Sequence, residues 1–258
     1  MPSRQKRAKK AALVTGGAQR IGRHLVERLS REGFSVAIHC NRSTAEAEEL
    51  AKTINEAGGH AAIVRADLSD AQAVEGLIGM SHAAIGPLTL LVNNASEFEP
   101  DEVLTFSAER WDRHFAVNLR APALLSRDFA RHLPEEARGL IVHIVDQRVW
   151  KPTPQFFSYT LTKSALYAAT RTMAQALAPR IRVNAIGPGP TLANARQDED
   201  DFAKQNEALL LRRGSSPEDI GDALMYLLGA RSVTGQMIAV DGGQHLAWET
   251  PDVTNMKE

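Results

Sequence analysis

Cys40 is the only cysteine among 258 residues, so the chain can build neither a disulfide framework nor a thiolate metal site. It falls in the apolar run FSVAIHC, where a small thiol reads as a packing residue rather than a nucleophile. The eight histidines are scattered without metal-ligand spacing, so no metal centre is expected. Thirty basic residues against 31 acidic ones leave a net charge of −1, too little to recruit nucleic acid or an anionic membrane. No apolar run approaches the roughly 20 residues of a membrane span. Internal repeats and Pro/Gly-rich linkers are also missing. These absences point to one cytoplasmic globular domain. Residues 1–10 carry Arg4, Lys6, Arg7, Lys9 and Lys10 without the apolar stretch of a secretory signal, and read as a solvated, disordered tail.

What is present is alternation. Short apolar runs cover Ala11 to Thr15, Phe34 to His39, Ala61 to Arg65, Leu88 to Asn93, Leu140 to Val145, Ile181 to Ile186 and Met237 to Val240. Several are apolar almost throughout, as parallel strands covered on both faces must be. Between them lie segments of helical periodicity, such as Arg20 to Glu32 and Thr44 to Ala57. The pattern predicts an α/β fold: one doubly wound domain over residues 11–258, its sheet flanked by helices on both faces. Ligands then gather at the strand C-terminal ends. Residues 191–213 break the alternation, are rich in polar residues, and read as a substrate lid.

The first strand runs into Thr15-Gly16-Gly17-Ala18-Gln19-Arg20-Ile21-Gly22 and then a helix. Glycines there permit a tight turn and a close backbone approach to a pyrophosphate, whose charge a helix N-terminus favours. Gly16, Gln19, Arg20, Ile21 and Gly22 are therefore assigned to a dinucleotide. After the second strand, the acidic residue that would hold the ribose hydroxyls of NAD is missing. Asn41, Arg42 and Ser43 stand there instead, and the guanidinium and hydroxyl suit a ribose phosphate. The expected cofactor is NADPH/NADP+. Asp67 and Leu68, after the third strand, offer a carboxylate and an amide to the adenine edge. Asn94 and Ala95, after the fourth, and Pro188 and Gly189, after the sixth, complete the expected cleft.

Tyr159 and Lys163 are four residues apart at the start of an Ala-rich helical run, hence on one helical face. A free tyrosine, with a pKa of about 10, is a poor acid near neutrality. A neighbouring ammonium lowers that value, making the pair an acid for protonating an atom as hydride arrives beside it. Tyr-x-x-x-Lys alone matches by chance. TGGAQRIG, NNAS, Asn118, YTLTK and VNAIGPGP in this order, however, resemble the short-chain dehydrogenase/reductase family over nearly the whole chain. The resemblance implies a single Rossmann-type domain with a seven-stranded parallel sheet, and a homodimer or homotetramer. It also implies Tyr159 as proton donor, Lys163 binding the ribose and tuning Tyr159, and Asn118 supporting a relay water.

Two positions depart from the family pattern. Arg20 stands where glycine is usual, and Asp146 replaces the serine at the end of the fifth strand. Both are similar to the pteridine reductases and the related dihydromonapterin reductases, as are the Arg42-Ser43 pair and Phe98 two residues beyond NNAS. That resemblance implies a pterin held by Ser96 and Phe98, stacked between the phenyl ring and the nicotinamide, with Arg20 near cofactor phosphate or substrate. Asp146 then bonds a ring N–H or relays a proton. The expected reaction is reduction of a dihydropterin, dihydromonapterin or dihydrofolate. A ketone, quinone or acyl substrate remains an alternative, as does a nucleotide-binding scaffold without turnover.

Overall fold

The structure, a computed structural model, describes residues 10–193, 198–250 and 253–254. Each apolar run of the sequence becomes a strand. They are β1 (Ala11–Val14), β2 (Ser35–Cys40), β3 (His60–Arg65), β4 (Leu90–Asn93), β5 (Gly139–Ile144), β6 (Ile181–Pro188) and β7 (Met237–Val240). All six pairings are parallel, and the order across the sheet is β3-β2-β1-β4-β5-β6-β7. Strand alternation sends Ala12 and Val14 of β1 to one face and Ala11 and Leu13 to the other.

The first face is covered by α1 (Arg20–Arg31), α2 (Thr44–Glu56) and α8 (Pro217–Gly229) through residues such as Leu25, Leu50 and Leu224. The second is covered by α3 (Ala71–Ile85), α5 (Ala121–His132) and α6 (Phe157–Leu177) through Leu77, Leu125, Phe129 and Ala174. Local chemistry sets the helix starts: Pro217 opens α8 behind a Ser216–Asp219 capping box, and Asp70 caps α3.

Strand order reverses direction between β1 and β4, which opens a crevice at their C-terminal ends. Between α4 (Ala108–Phe115) and α5, residues Ala116–Arg120 widen into a π-turn that carries Asn118. The segment expected to be a lid contains α7 (Glu199–Glu207), capped by Asp198; its residues 194–197 lie outside the described residues, as do residues 1–9 of the basic tail. Among the described residues, no helix is long and apolar enough to cross a membrane.

Candidate active site

One cleft of about 1190 Å³ lies over the C-terminal ends of the central strands. A typical single-ligand pocket holds roughly 300–1,000 Å³, so the space suits a cofactor and a substrate together. Gly16, Gln19, Arg20, Ile21, Gly22, Asn41, Asp67, Leu68, Asn94, Ala95, Ser96, Phe98, Asp146, Tyr159, Lys163, Pro188 and Gly189 all line it. Arg42 and Ser43 line an adjoining pocket of about 290 Å³. Asn118 alone of the expected site residues lines neither.

The glycine-rich turn is shaped for close approach. Gly16 has φ +61°, and a Cβ on Gly22 would lie 2.0 Å from the Gly16 carbonyl oxygen. Asn94 braces the turn by donating to the Thr15 and Gly16 carbonyls at 2.9 and 3.1 Å. Arg20 has φ +51°, a left-handed backbone where the family norm is glycine. Its guanidinium donates to the carbonyls of Leu192 and Ala193 at 3.1 and 3.0 Å, clasping the loop after β6. Gln19 donates to Glu46 at 2.6 Å. Arg42 is exposed and has no ion-pair partner among the described residues, so its charge remains available to an anion.

His39 is a part of this cradle that the sequence did not flag. The Gly16 N–H donates to its Nδ1 (3.1 Å), leaving Nε2–H to donate to the Ala66 carbonyl (3.1 Å). Burial lowers its pKa to about 4, so the ring stays neutral and ties the turn to the end of β3.

At the other end of the cleft, the Tyr159 hydroxyl donates to Asp146 Oδ2 at 2.8 Å. Asp146 Oδ1 accepts from the Arg148 N–H at 2.8 Å. Burial raises the carboxylate's pKa against these favourable hydrogen bonds. The Lys163 ammonium donates to the Ile144 carbonyl at 2.8 Å, and burial lowers its pKa to about 8. The sequence suggests that Lys163 depresses the Tyr159 pKa. In the folded chain burial and Asp146 dominate instead and hold the phenol well above its ordinary value. The physical reason is direct: the phenol faces a carboxylate, while the ammonium is bonded to a carbonyl. Tyr159 is thus protonated and gives its hydrogen bond to Asp146.

Asn118 is buried behind this group. Its Oδ1 accepts from the Glu97 N–H (2.8 Å) and the Ser96 hydroxyl (3.2 Å), and its Nδ2 donates to the Glu97 carbonyl (2.9 Å) and Thr162 (3.3 Å). It therefore fixes the loop that carries Phe98. A second buried lock holds the same loop. Glu99 N–H donates to His114 Nε2 (3.2 Å), so His114 Nδ1–H donates to Ser158 Oγ (2.5 Å), and the Ser158 hydroxyl donates to Asp101. Ser158 directly precedes Tyr159. The sequence assigns His114 no role, because a lone histidine gives no local sign of such partners.

Phe98 stacks on Phe156, with centroids 4.3 Å apart and planes 8° from parallel, and meets Tyr159 edge-on at 4.7 Å. Phe156 itself has φ +57°, unusual for a bulky side chain, and precedes the first turn of α6.

The family profile described as short chain dehydrogenase matches residues 10–204. Crystal structures of FolM alternative dihydrofolate reductase 1 from Brucella canis and Brucella suis, both in complex with NADP, are 56% identical with a TM-score of 0.93. They cover 96% and 95% of this chain and 98% of their own. Pteridine reductase 1 of Leishmania tarentolae is 33% identical over 280 residues, covering 91% of this chain and 96% of that protein. With its parallel sheet, glycine-rich turn and Tyr159–Lys163 pair, the chain belongs to the short-chain dehydrogenase family.

Proposed function

We propose that this chain is an NADPH-dependent reductase of a dihydropterin ring. The observation that carries the reading is the hydrogen bond between Tyr159 and Asp146, at a position where the family pattern has serine. An ionised carboxylate cannot donate to a ketone oxygen. It accepts readily from the N–H and amino groups of a pterin, and once protonated it passes a proton on. The relatedness to the Brucella and Leishmania reductases supports the same substrate class.

The residues fit the cofactor. The cradle that a Gly22 side chain would fill suits a pyrophosphate, and exposed Arg42 with Ser43 suits a ribose phosphate. Asp67 and Leu68 would hold adenine, Lys163 the nicotinamide ribose, and Asn94, Ala95, Pro188 and Gly189 the rest of that half. Bound NADPH supplies the hydride. The chain's own residues manage the rest. Phe98 offers an aromatic wall to the pterin, and Ser96 offers a hydroxyl. Tyr159 delivers the proton to a ring nitrogen, and Asp146 holds the adjacent donors and restores the Tyr159 proton. Asn118 and the His114–Ser158–Asp101 chain keep Phe98 and Tyr159 in register. Exposed Trp150, Leu246 and Trp248 support a homodimer or homotetramer, which sedimentation velocity checks; a cytoplasmic location belongs to the same reading.

The test is NADPH oxidation followed by absorbance, with dihydrobiopterin, dihydromonapterin, dihydrofolate and several ketones in parallel. Turnover of the pterins is expected. Turnover confined to ketones would overturn the reading.

A further inference from the structure

Beyond the catalytic pair, the cleft continues along an aromatic wall that ends in a cation. The Arg148 guanidinium lies over the Phe156 ring, 5.0 Å from its centroid, on a ring whose partner in the stack is Phe98. Its backbone N–H is bonded to Asp146, so the point from which the side chain reaches is set relative to the proton-handling group. Phe156 has a left-handed backbone at this point of the wall, with φ +57°.

The charges around this wall divide unevenly. Arg113 is paired with Glu97 at 3.1 Å, Arg20 is spent on two carbonyls, and Asp101 is bound to Ser158. Arg148 lines the cleft with one hydrogen bond from its side chain, to Thr153 Oγ1 at 2.8 Å, and with no ion pair among the described residues. A guanidinium has five N–H donors, and its planar fork matches a carboxylate. Along this wall stand the Tyr159 hydroxyl, the Phe98 ring, the Phe156 ring held between Phe98 and Arg148, and a guanidinium that faces Asp146 electrostatically but forms no ion pair among the described residues.

We infer that Arg148 and Phe156 form a subsite for the substrate's side chain, selecting a dihydropterin whose substituent carries an aryl ring followed by a carboxylate. The aryl group lies along the edge of the Phe98–Phe156 stack, and the carboxylate pairs with Arg148. The inference rests on the dihydropterin reading above and names the kind of substrate that site takes. A neutral polyol side chain would leave the guanidinium unused.

The experiment compares dihydrofolate, which has such a tail, with dihydrobiopterin, which has a short neutral one, in the wild type, Arg148→Met and Arg148→Lys. Loss of a charge-assisted hydrogen bond lowers the ratio of kcat/KM for dihydrofolate over dihydrobiopterin by about tenfold or more. The change resides in the KM for dihydrofolate, and Arg148→Lys recovers part of it. Any effect of the lost charge on Asp146 is common to both substrates and cancels in the ratio. If the wild type reduces both substrates and the ratio is the same in Arg148→Met, the subsite is wrong while the dihydropterin reading stands. If the wild type reduces dihydrobiopterin or dihydromonapterin but not dihydrofolate, the subsite falls and the dihydropterin reading stands; if it reduces none of these pterins, both fall.

Discussion

Tyr159→Phe is the substitution on which the structure has most to say, because the hydroxyl it removes has one defined partner. The phenol donates to Asp146 Oδ2 at 2.8 Å, and Tyr159 is only 5% exposed. A hydrogen bond to a charged acceptor is worth roughly 1.5–3 kcal/mol. Asp146 is half-buried at the cleft floor, where water can replace part of the bond, so a loss near 1.5 kcal/mol is expected, or about 3–6 °C in Tm. That loss depends on pH. The Tyr159 bond pulls the Asp146 pKa down against burial, which raises it. The variant's Asp146 therefore keeps its proton to higher pH than the wild type's, and the stability gap opens as pH rises and closes as pH falls. Catalysis suffers far more, since a positioned general acid contributes about a hundred- to ten-thousand-fold in rate. NADPH binding, measured by thermal shift or fluorescence, should survive. Near-wild-type kcat with an intact fold would refute the role given to Tyr159, and a stability gap that widens towards acid would refute the reasoning about Asp146.

Three further outcomes follow from the same geometry. Arg42→Ala removes an exposed cation from the pocket proposed for the ribose phosphate and should cut the preference for NADPH over NADH by about tenfold or more; an unchanged ratio of the two Kd values counts against the assignment. Gly22→Ala puts a Cβ at 2.0 Å from the Gly16 oxygen and 2.7 Å from Asn94 Nδ2, so the turn must open, at a cost of about 1–3 kcal/mol, with loss of the thermal shift given by NADPH. Asp146→Asn keeps the shape but cannot cycle a proton, so kcat on dihydropterins drops. The descending limb of the wild-type rate profile, as pH rises through the raised Asp146 pKa, should vanish with it; persistence of that limb assigns it to another group, such as Lys163, whose pKa is about 8.

The amino-acid sequence by itself determined the architecture. Runs such as VAIH and LIVH are apolar on both faces, so they must be covered by helices on both sides, and seven such runs between helices leave few sheets to build. It also located the glycine-rich turn, the Arg42-Ser43 pair, and Asp146, Tyr159 and Lys163, because each set is local in the chain or stands at the end of a recognisable strand. Only the tertiary structure decided what these groups do to one another. Lys163 is bonded to the Ile144 carbonyl, and the phenol to a carboxylate, so the Tyr159 pKa rises rather than falls. Phe98 meets Phe156, Arg20 reaches Leu192 and Ala193, and His114 meets Ser158, each across a long stretch of chain. Hydrophobic periodicity records which face of an element is buried, which is a property of neighbours in sequence. It carries no information about which side chain from a distant segment arrives at a given atom, and that arrival sets hydrogen bonds, desolvation and proton affinity.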